Sequence, residues 1–290
     1  MNFFEKSLLK LSDKEEYKRR KYLDKIKRIA PPKLEIPGKD FYTMKHSGNA
    51  GDIIYALPAI YALAKNKPIH LYLQLNQPGV YGKAGHPLGN VMLNQGMFNM
   101  LEPLLISQPA IQSCSVYNGE PVDYDLDLFR RYPFQLFKGN ISHWYYWVFG
   151  VQGDTFNPWL QSDADNRFSN TLVIARSKRY NAPGIDYSFL NKFEEIIFLG
   201  VEEEYLLMKQ QVPKIIHHAV ADFKEMSSVI AGAKLFIGNQ SFPFAIAEAV
   251  KAKRLLEVFF DSPNVAVNGV NGYEFCLQGP FEMLVEKMMK

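Results

Sequence analysis

The chain of 290 residues is poor in cysteine, in net charge and in long apolar runs. Cys114 and Cys276 are its only thiols. They stand too far apart for a close metal-ligand pair and are too few for a disulfide framework, so they point to a reducing compartment. No apolar stretch approaches the ~20 residues that span a bilayer. Met1 to Lys25 is charged throughout and lacks the apolar core of a signal peptide. A cytoplasmic location is the expectation. Neither the G-x-G-x-x-G dinucleotide pattern nor a P-loop occurs, and there is no internal repeat or low-complexity tract.

The formal charge is only +3, and it is unevenly placed. Residues 1–40 hold 12 Lys and Arg against 7 Asp and Glu, whereas the other 250 hold 21 against 23. The basic excess belongs to an N-terminal arm. A nucleic-acid-binding body would carry a basic face, so nucleic acid is not an expected partner. The remaining composition, 47% hydrophobic and 22% charged, is that of an ordinary globular protein.

Within residues 2–29, Phe4, Leu8, Leu11, Leu23, Ile26 and Ile29 recur near helical spacing and predict one or two amphipathic helices. Such an arm either packs on the body or binds a partner or an anionic membrane surface. The interleaved acidic residues favour packing on the body. Ala30-Pro31-Pro32 stops the helix.

Beyond the arm, short apolar strands alternate with helices, the pattern of parallel α/β sheets. Strands are expected at 41–46, 69–74, 111–117 and 124–129, with helices at 52–65 and 91–101 and an aromatic helix around Trp144–Phe149. A second series places strands at 172–175, 195–199, 214–217, 234–237 and 254–259, and helices at 202–210, 222–231, 242–251 and 280–290. The expected division is an arm and linker at 1–39, a first unit at 40–165 and a second at 166–290. The fold class is α/β, with two Rossmann-like doubly wound domains facing across a cleft.

In such sheets, ligands bind beyond the carboxyl ends of the strands. Three strand-end loops carry suitable chemistry. Ser47-Gly48-Asn49-Ala50-Gly51-Asp52 leads from a strand into a helix, where an acidic residue is either a cap or a held, polarised carboxylate. Arg176-Ser177-Lys178-Arg179 places three cations after a buried strand, as a solvated turn or a phosphate clamp. Gly238-Asn239-Gln240-Ser241 opens an Ala-rich helix, as a plain cap or a phosphate cradle. Asp123, Asp125 and Asp127 follow strand alternation and read as structural, with no metal site expected. His217-His218 also reads as structural, and Trp144 or Trp147 is a candidate for stacking on a sugar.

Gly51-Asp52-Ile53-Ile54-Tyr55-Ala56-Leu57-Pro58, taken with the late loop, resembles the heptosyltransferases of lipopolysaccharide assembly and their relatives. These are two-domain glycosyltransferases of the GT-B class. Ile197 to Tyr205 and Tyr124 to Leu128 resemble further strand segments of that family. Its Gly-x-Asp-Thr-Gly letters are replaced here by Gly238-Asn239-Gln240-Ser241-Phe242, and its following His is missing. The resemblance implies sugar transfer from a nucleotide-diphosphate donor to a hydroxyl acceptor, inverting and without a metal, the donor being a substrate and no cofactor being needed. It makes Asp52 the catalytic base. It assigns the donor to Arg176, Lys178, Arg179, Gly238, Asn239, Gln240 and Ser241, with Glu204 and Glu248 as ribose or base contacts. His46, Asn49, Gly51 and Arg130 fall on the acceptor side. A non-catalytic nucleotide or sugar binder and a nucleotide-sugar epimerase are the alternatives on the same scaffold.

Overall fold

The computed structural model describes residues 3–28, 38–79, 81 and 85–290. The expected helix stop at Ala30-Pro31-Pro32 lies outside these residues. The arm forms two helices, α1 (Phe3–Ser12) and α2 (Lys14–Lys27), which pack on each other. Asp13 separates them, because its side chain accepts the N–H of Glu16 and caps α2. Neither helix buries a single residue, which corrects the expectation that the arm packs on the body.

The first sheet contains β1 (Tyr42–His46), β2 (Ile69–Leu73), β3 (Ile111–Val116) and β4 (Tyr124–Asp125), all parallel, in the order β3-β2-β1-β4. Helix α3 (Ala50–Ala64) follows β1, and α4 (Gln95–Ile106) precedes β3. The α4 start is set by Asn94, which caps the N–H of Met97, so the helix begins later than position 91 and runs past 101. The strand expected over 124–129 stops after two residues. There the Asp125 carboxylate accepts the N–H of Asp127 and starts a 3-10 turn over Leu126–Arg131. That turn swings Asp127 and Arg130 back toward the end of β1. The aromatic segment is α5 (Ile141–Phe149), packed on α3. Trp144 is core, stacked on Phe129, and Trp147 lies outside against Phe134.

The second sheet contains β5 (Leu172–Ala175), β6 (Ile196–Phe198), β7 (Ile216–His217), β8 (Leu235–Asn239), β9 (Arg254–Glu257) and β10 (Gly272–Phe275). They are parallel in the order β10-β9-β8-β5-β6-β7. Counted from its own first strand, this is the 3-2-1-4-5-6 order of a doubly wound Rossmann sheet. Helices α6 (Glu202–Gln211), α7 (Phe223–Gly232), α8 (Phe242–Ala249) and α9 (Gln278–Met289) complete it. Strands β5, β8 and β9 are buried on both faces, which gives β5 and the start of β8 continuous apolar runs, whereas β9 encloses Leu255 and Leu256 between the buried charges Arg254 and Glu257. Strand β10 has no such run. Only Phe275 of its four residues is buried, so no apolar pattern marked it in the sequence.

Below the cleft the two halves are joined. Helix α3 packs on α8 and α4 on α7, and one buried cluster runs from Ile53 and Leu57 to Phe244 and Val229. No helix among the described residues is long and apolar enough to cross a membrane.

Candidate active site

A cleft opens where the carboxyl ends of both sheets meet. Its wall is drawn from Asn49, Gly51 and Asp52 after β1, Arg179 and Tyr180 after β5, and Gln240 and Ser241 after β8. Strand order reverses between β1 and β4 and between β5 and β8, and loops after β1, β5 and β8 line the wall. Such switch points leave room for a ligand because successive connections turn to opposite faces. A larger cavity of about 480 Å³ lies at the opposite edge of the first sheet, among Pro58, Tyr61, Pro109 and Trp159. It sits at the amino ends of the strands, away from these loops.

Asp52 stands in the first turn of α3. Its Oδ2 accepts the N–H of Asn49 and an Nη2–H of Arg130, each at 3.3 Å. Its Oδ1 accepts no hydrogen bond among the described residues. Arg130 is itself anchored by Asp127 through Nε at 3.3 Å and lies over the Phe129 ring. Burial pulls the Arg130 pKa down, but Asp52, Tyr145 and Asp127 outweigh it and keep the guanidinium charged. Burial likewise opposes ionisation of Asp127, yet His46, the Ser47 N–H, Arg130 and Lys45 hold its carboxyl below the usual range.

His46 does not reach the cleft and is fully buried, which corrects its place on the acceptor side. Its Nδ1 accepts the N–H of Gly48 at 2.8 Å, so the ring proton sits on Nε2. That nitrogen meets the Tyr145 hydroxyl at 2.7 Å, and the hydroxyl donates to the main-chain oxygen of Asp52 at 3.3 Å. Burial lowers the His46 pKa and raises that of Tyr145. Arg130 too lies behind the wall, holding Asp52. Gly48 is required by space: a Cβ there would sit 2.6 Å from the His46 ring and 2.8 Å from both Arg130 Nη2 and Asp52 Oδ2. At Gly51 a Cβ would meet Phe242 Cα at 3.8 Å, which marks where α3 approaches α8.

The second loop is built differently. Gly238 belongs to β8, where a Cβ would come within 2.8 Å of the Phe236 ring and 3.0 Å of the Ala175 oxygen. Its lack of a side chain serves strand packing and not a ligand. The Asn239 amide turns inward: Oδ1 accepts the Ser177 N–H at 3.0 Å, and Nδ2 donates to Ser177, Arg179 and Asn181. It shapes the loop after β5 from within. The Gln240 amide is also engaged, donating to Ser262 and Asn264 and accepting from Phe259. What this loop offers to the cleft is the start of α8, whose first turn carries no acidic residue. Its first N–H groups lack intrahelical partners, as at any helix start.

Of the three cations after β5, one faces the cleft. Arg179 lies over the Tyr81 and Tyr180 rings and makes no ion pair among the described residues. Arg176 is consumed by Glu257 in a bidentate pair at 2.6 and 2.7 Å, with Tyr187 and the Ala182 N–H on the same buried carboxylate. Lys178 pairs with Glu203 at the surface. Glu204 accepts the N–H of Lys178 at 3.1 Å, and burial raises its pKa. None of these three lines the cleft. Glu248 is core: it is wholly buried, bound to Lys251 and Arg254 at 2.6 Å each, and accepts the Asn268 N–H. Arg176, Lys178, Glu204, Asn239 and Glu248 are therefore corrected as donor contacts.

Tyr81 and His86, unmarked by any motif, cover the mouth of the cleft. Their rings stack at 4.4 Å, and the Tyr81 hydroxyl donates to Asn49 Oδ1 at 2.6 Å. Burial, then Arg179, holds His86 down to about 4. With this cover in place the cleft encloses about 130 Å³. Ligand sites commonly measure ~300–1,000 Å³, so the enclosed volume is small beside them. The described residues contain no group of three or more His, Cys, Asp or Glu able to hold a metal.

No family model matches the chain. No curated protein matches it in sequence. Among solved structures, it is similar to E. coli heptosyltransferase WaaC with ADP, at 10% identity and TM-score 0.57, over 86% of this chain and 99% of that one. The same enzyme with ADP-2-deoxy-2-fluoro heptose matches at TM-score 0.55 and 10% identity, over 85% and 99%. E. coli ADP-heptose LPS heptosyltransferase II matches at TM-score 0.50 and 10% identity, over 87% and 98%. At such identity the likeness is one of fold, and the chain has the heptosyltransferase-like fold of two parallel α/β sheets.

Proposed function

We propose that the protein transfers a sugar from a nucleotide-diphosphate donor to a hydroxyl acceptor. The single observation that supports this most is the asymmetry of the cleft. Two helix N-termini converge there. That of α3 holds its own carboxylate, Asp52, while that of α8 has none and lies near Arg179, which makes no ion pair among the described residues. A helix start with free N–H groups and a nearby guanidinium favours an anion. In this reading the diphosphate rests against α8 and Arg179, on the side of residues 166–290. The acceptor enters from the side of residues 40–165, and Asp52 Oδ1 removes the proton of its hydroxyl.

Among the described residues, Asp52 is the only carboxylate on the cleft wall. In this reading the acceptor oxygen attacks the anomeric carbon as Asp52 takes its proton and the diphosphate leaves from the opposite face, a single displacement that inverts the centre. Charge growing on the leaving diphosphate is met by the α8 dipole and Arg179, with no metal taking part. The Asp52–Arg130 contact fixes the base by one oxygen and leaves the other for the acceptor.

The test pairs binding with turnover. Nucleoside diphosphates are screened by thermal shift, and the matching sugar nucleotides are then assayed with hydroxyl acceptors in the parent and in Asp52→Asn. Transfer that disappears in the variant while diphosphate binding persists supports the reading. Diphosphate binding with no transfer by the parent makes the protein a binder, and sugar interconversion without acceptor makes it an epimerase.

A further inference from the structure

The arm presents an apolar face that no described residue covers. Phe3, Phe4, Leu8 and Leu11 of α1 are 85%, 74%, 57% and 87% exposed. At ~100° per residue they fall within one arc of about 140° on the helix, and Leu9 points the other way. Lys6 and Lys10 border the arc. Along α2, Leu23 and Ile26 are also exposed, between Lys18, Arg19, Arg20, Lys21, Lys25 and Lys27. Residues 3–28 carry ten Lys and Arg against five Asp and Glu.

We propose that α1 and α2 seat this face in the headgroup region of an anionic lipid membrane. Charge complementarity selects the occupant. An amphipathic helix with Phe and Leu on one side and an excess of Lys and Arg around them lies in the plane of an anionic interface. Each added cation near such a surface strengthens the attraction. A second copy of this chain would bring one cationic arm against another, which like charges oppose. Neither helix is long enough to cross, so the contact is peripheral.

Flotation of the full chain with vesicles tests this. Mixed phosphatidylcholine–phosphatidylglycerol vesicles are compared with phosphatidylcholine alone at low salt. The parent floats with the mixed vesicles, and salt releases it. The triple variant Phe3→Ser, Leu8→Ser, Leu11→Ser binds at least ~10-fold more weakly. Its melting temperature stays unchanged, because none of these side chains is buried. The double variant Lys21→Glu, Lys25→Glu also weakens binding to the mixed vesicles, by ~10-fold or more. Three results would overturn the proposal: no flotation of the parent, equal flotation with neutral vesicles, or a triple variant that floats like the parent. A dimer seen by sedimentation velocity without lipid, and lost in the triple variant, would assign the face to a second copy instead. No sugar donor enters these measurements, so they stand or fall apart from the transferase reading.

Discussion

The loops at the starts of α3 and α8 share a plan and differ in where their polar side chains point. Both follow a central parallel strand, both open a buried helix, and both reach the same cleft. In the first, Asp52 faces outward and is braced from behind by Arg130, Asp127, His46 and Tyr145. In the second, Asn239 and Gln240 turn inward to hold neighbouring loops, and the helix start is left bare. On the proposed reading, this difference lets one architecture supply two chemistries. A helix start that carries its own carboxylate offers a base, and one that carries none offers a place for an anion.

Breaking the first side has the largest expected effect. Asp52→Asn keeps the shape and removes the base, so turnover falls by ~10²–10⁴-fold while diphosphate affinity stays within about twofold. Steady-state kinetics beside calorimetry checks this. Gly48→Ala, which forces apart His46, Arg130 and Asp52, lowers turnover less than Asp52→Asn does and leaves diphosphate binding intact.

The second side is anchored far from the cleft by the buried Glu248–Lys251–Arg254 cluster. Glu248→Gln strands two buried cations and costs ~3–5 kcal/mol of stability in denaturant unfolding. A donor contact at that position would instead lower affinity and leave stability unchanged. At the cleft, Arg179→Met removes a cation that makes no ion pair among the described residues and weakens diphosphate binding by ~1.5–3 kcal/mol in calorimetry. Ser241→Asp makes the second loop imitate the first. It places a carboxylate at the start of α8, weakens diphosphate binding by up to ~2 kcal/mol, and leaves the melting temperature equal or higher.

The smallest effect concerns the cover. His86 is lowered from 6.5 to about 4. Between those values the unfolded chain binds a proton that the folded chain does not, so stability is full above 6.5 and declines as pH falls toward 4. His86→Asn flattens that decline in melting curves taken across this range.

Much of the fold was legible because central parallel strands are buried on both faces. Leu172–Ala175 and Leu235–Ile237 read as continuous apolar runs, and their helices show periodic burial. Strand β10 was illegible because an edge strand with one buried residue leaves no run to read. The break of the 124–129 strand was hidden for a different reason. Its apolar alternation continues, and only the Asp125 hydrogen bond to the Asp127 N–H ends it. That Asp52 and Ser241 stand where a strand gives way to a helix was legible from strand–loop–helix order alone. Tyr81 and His86 were not, since they arrive from a long connection and meet the cleft by stacking.

The sequence by itself determined the alternation of strands and helices, the cationic arm, and the two loops that end β1 and β8. These depend on burial periodicity and on local backbone chemistry, which are written residue by residue. Only the tertiary structure decided which charges are spent and which are free. Arg176 and Arg179 lie three positions apart in one basic run, yet one is locked against Glu257 and the other faces the cleft. An ion's role is fixed by the partner that folding brings to it, and Glu257 is brought to Arg176 from a distant strand.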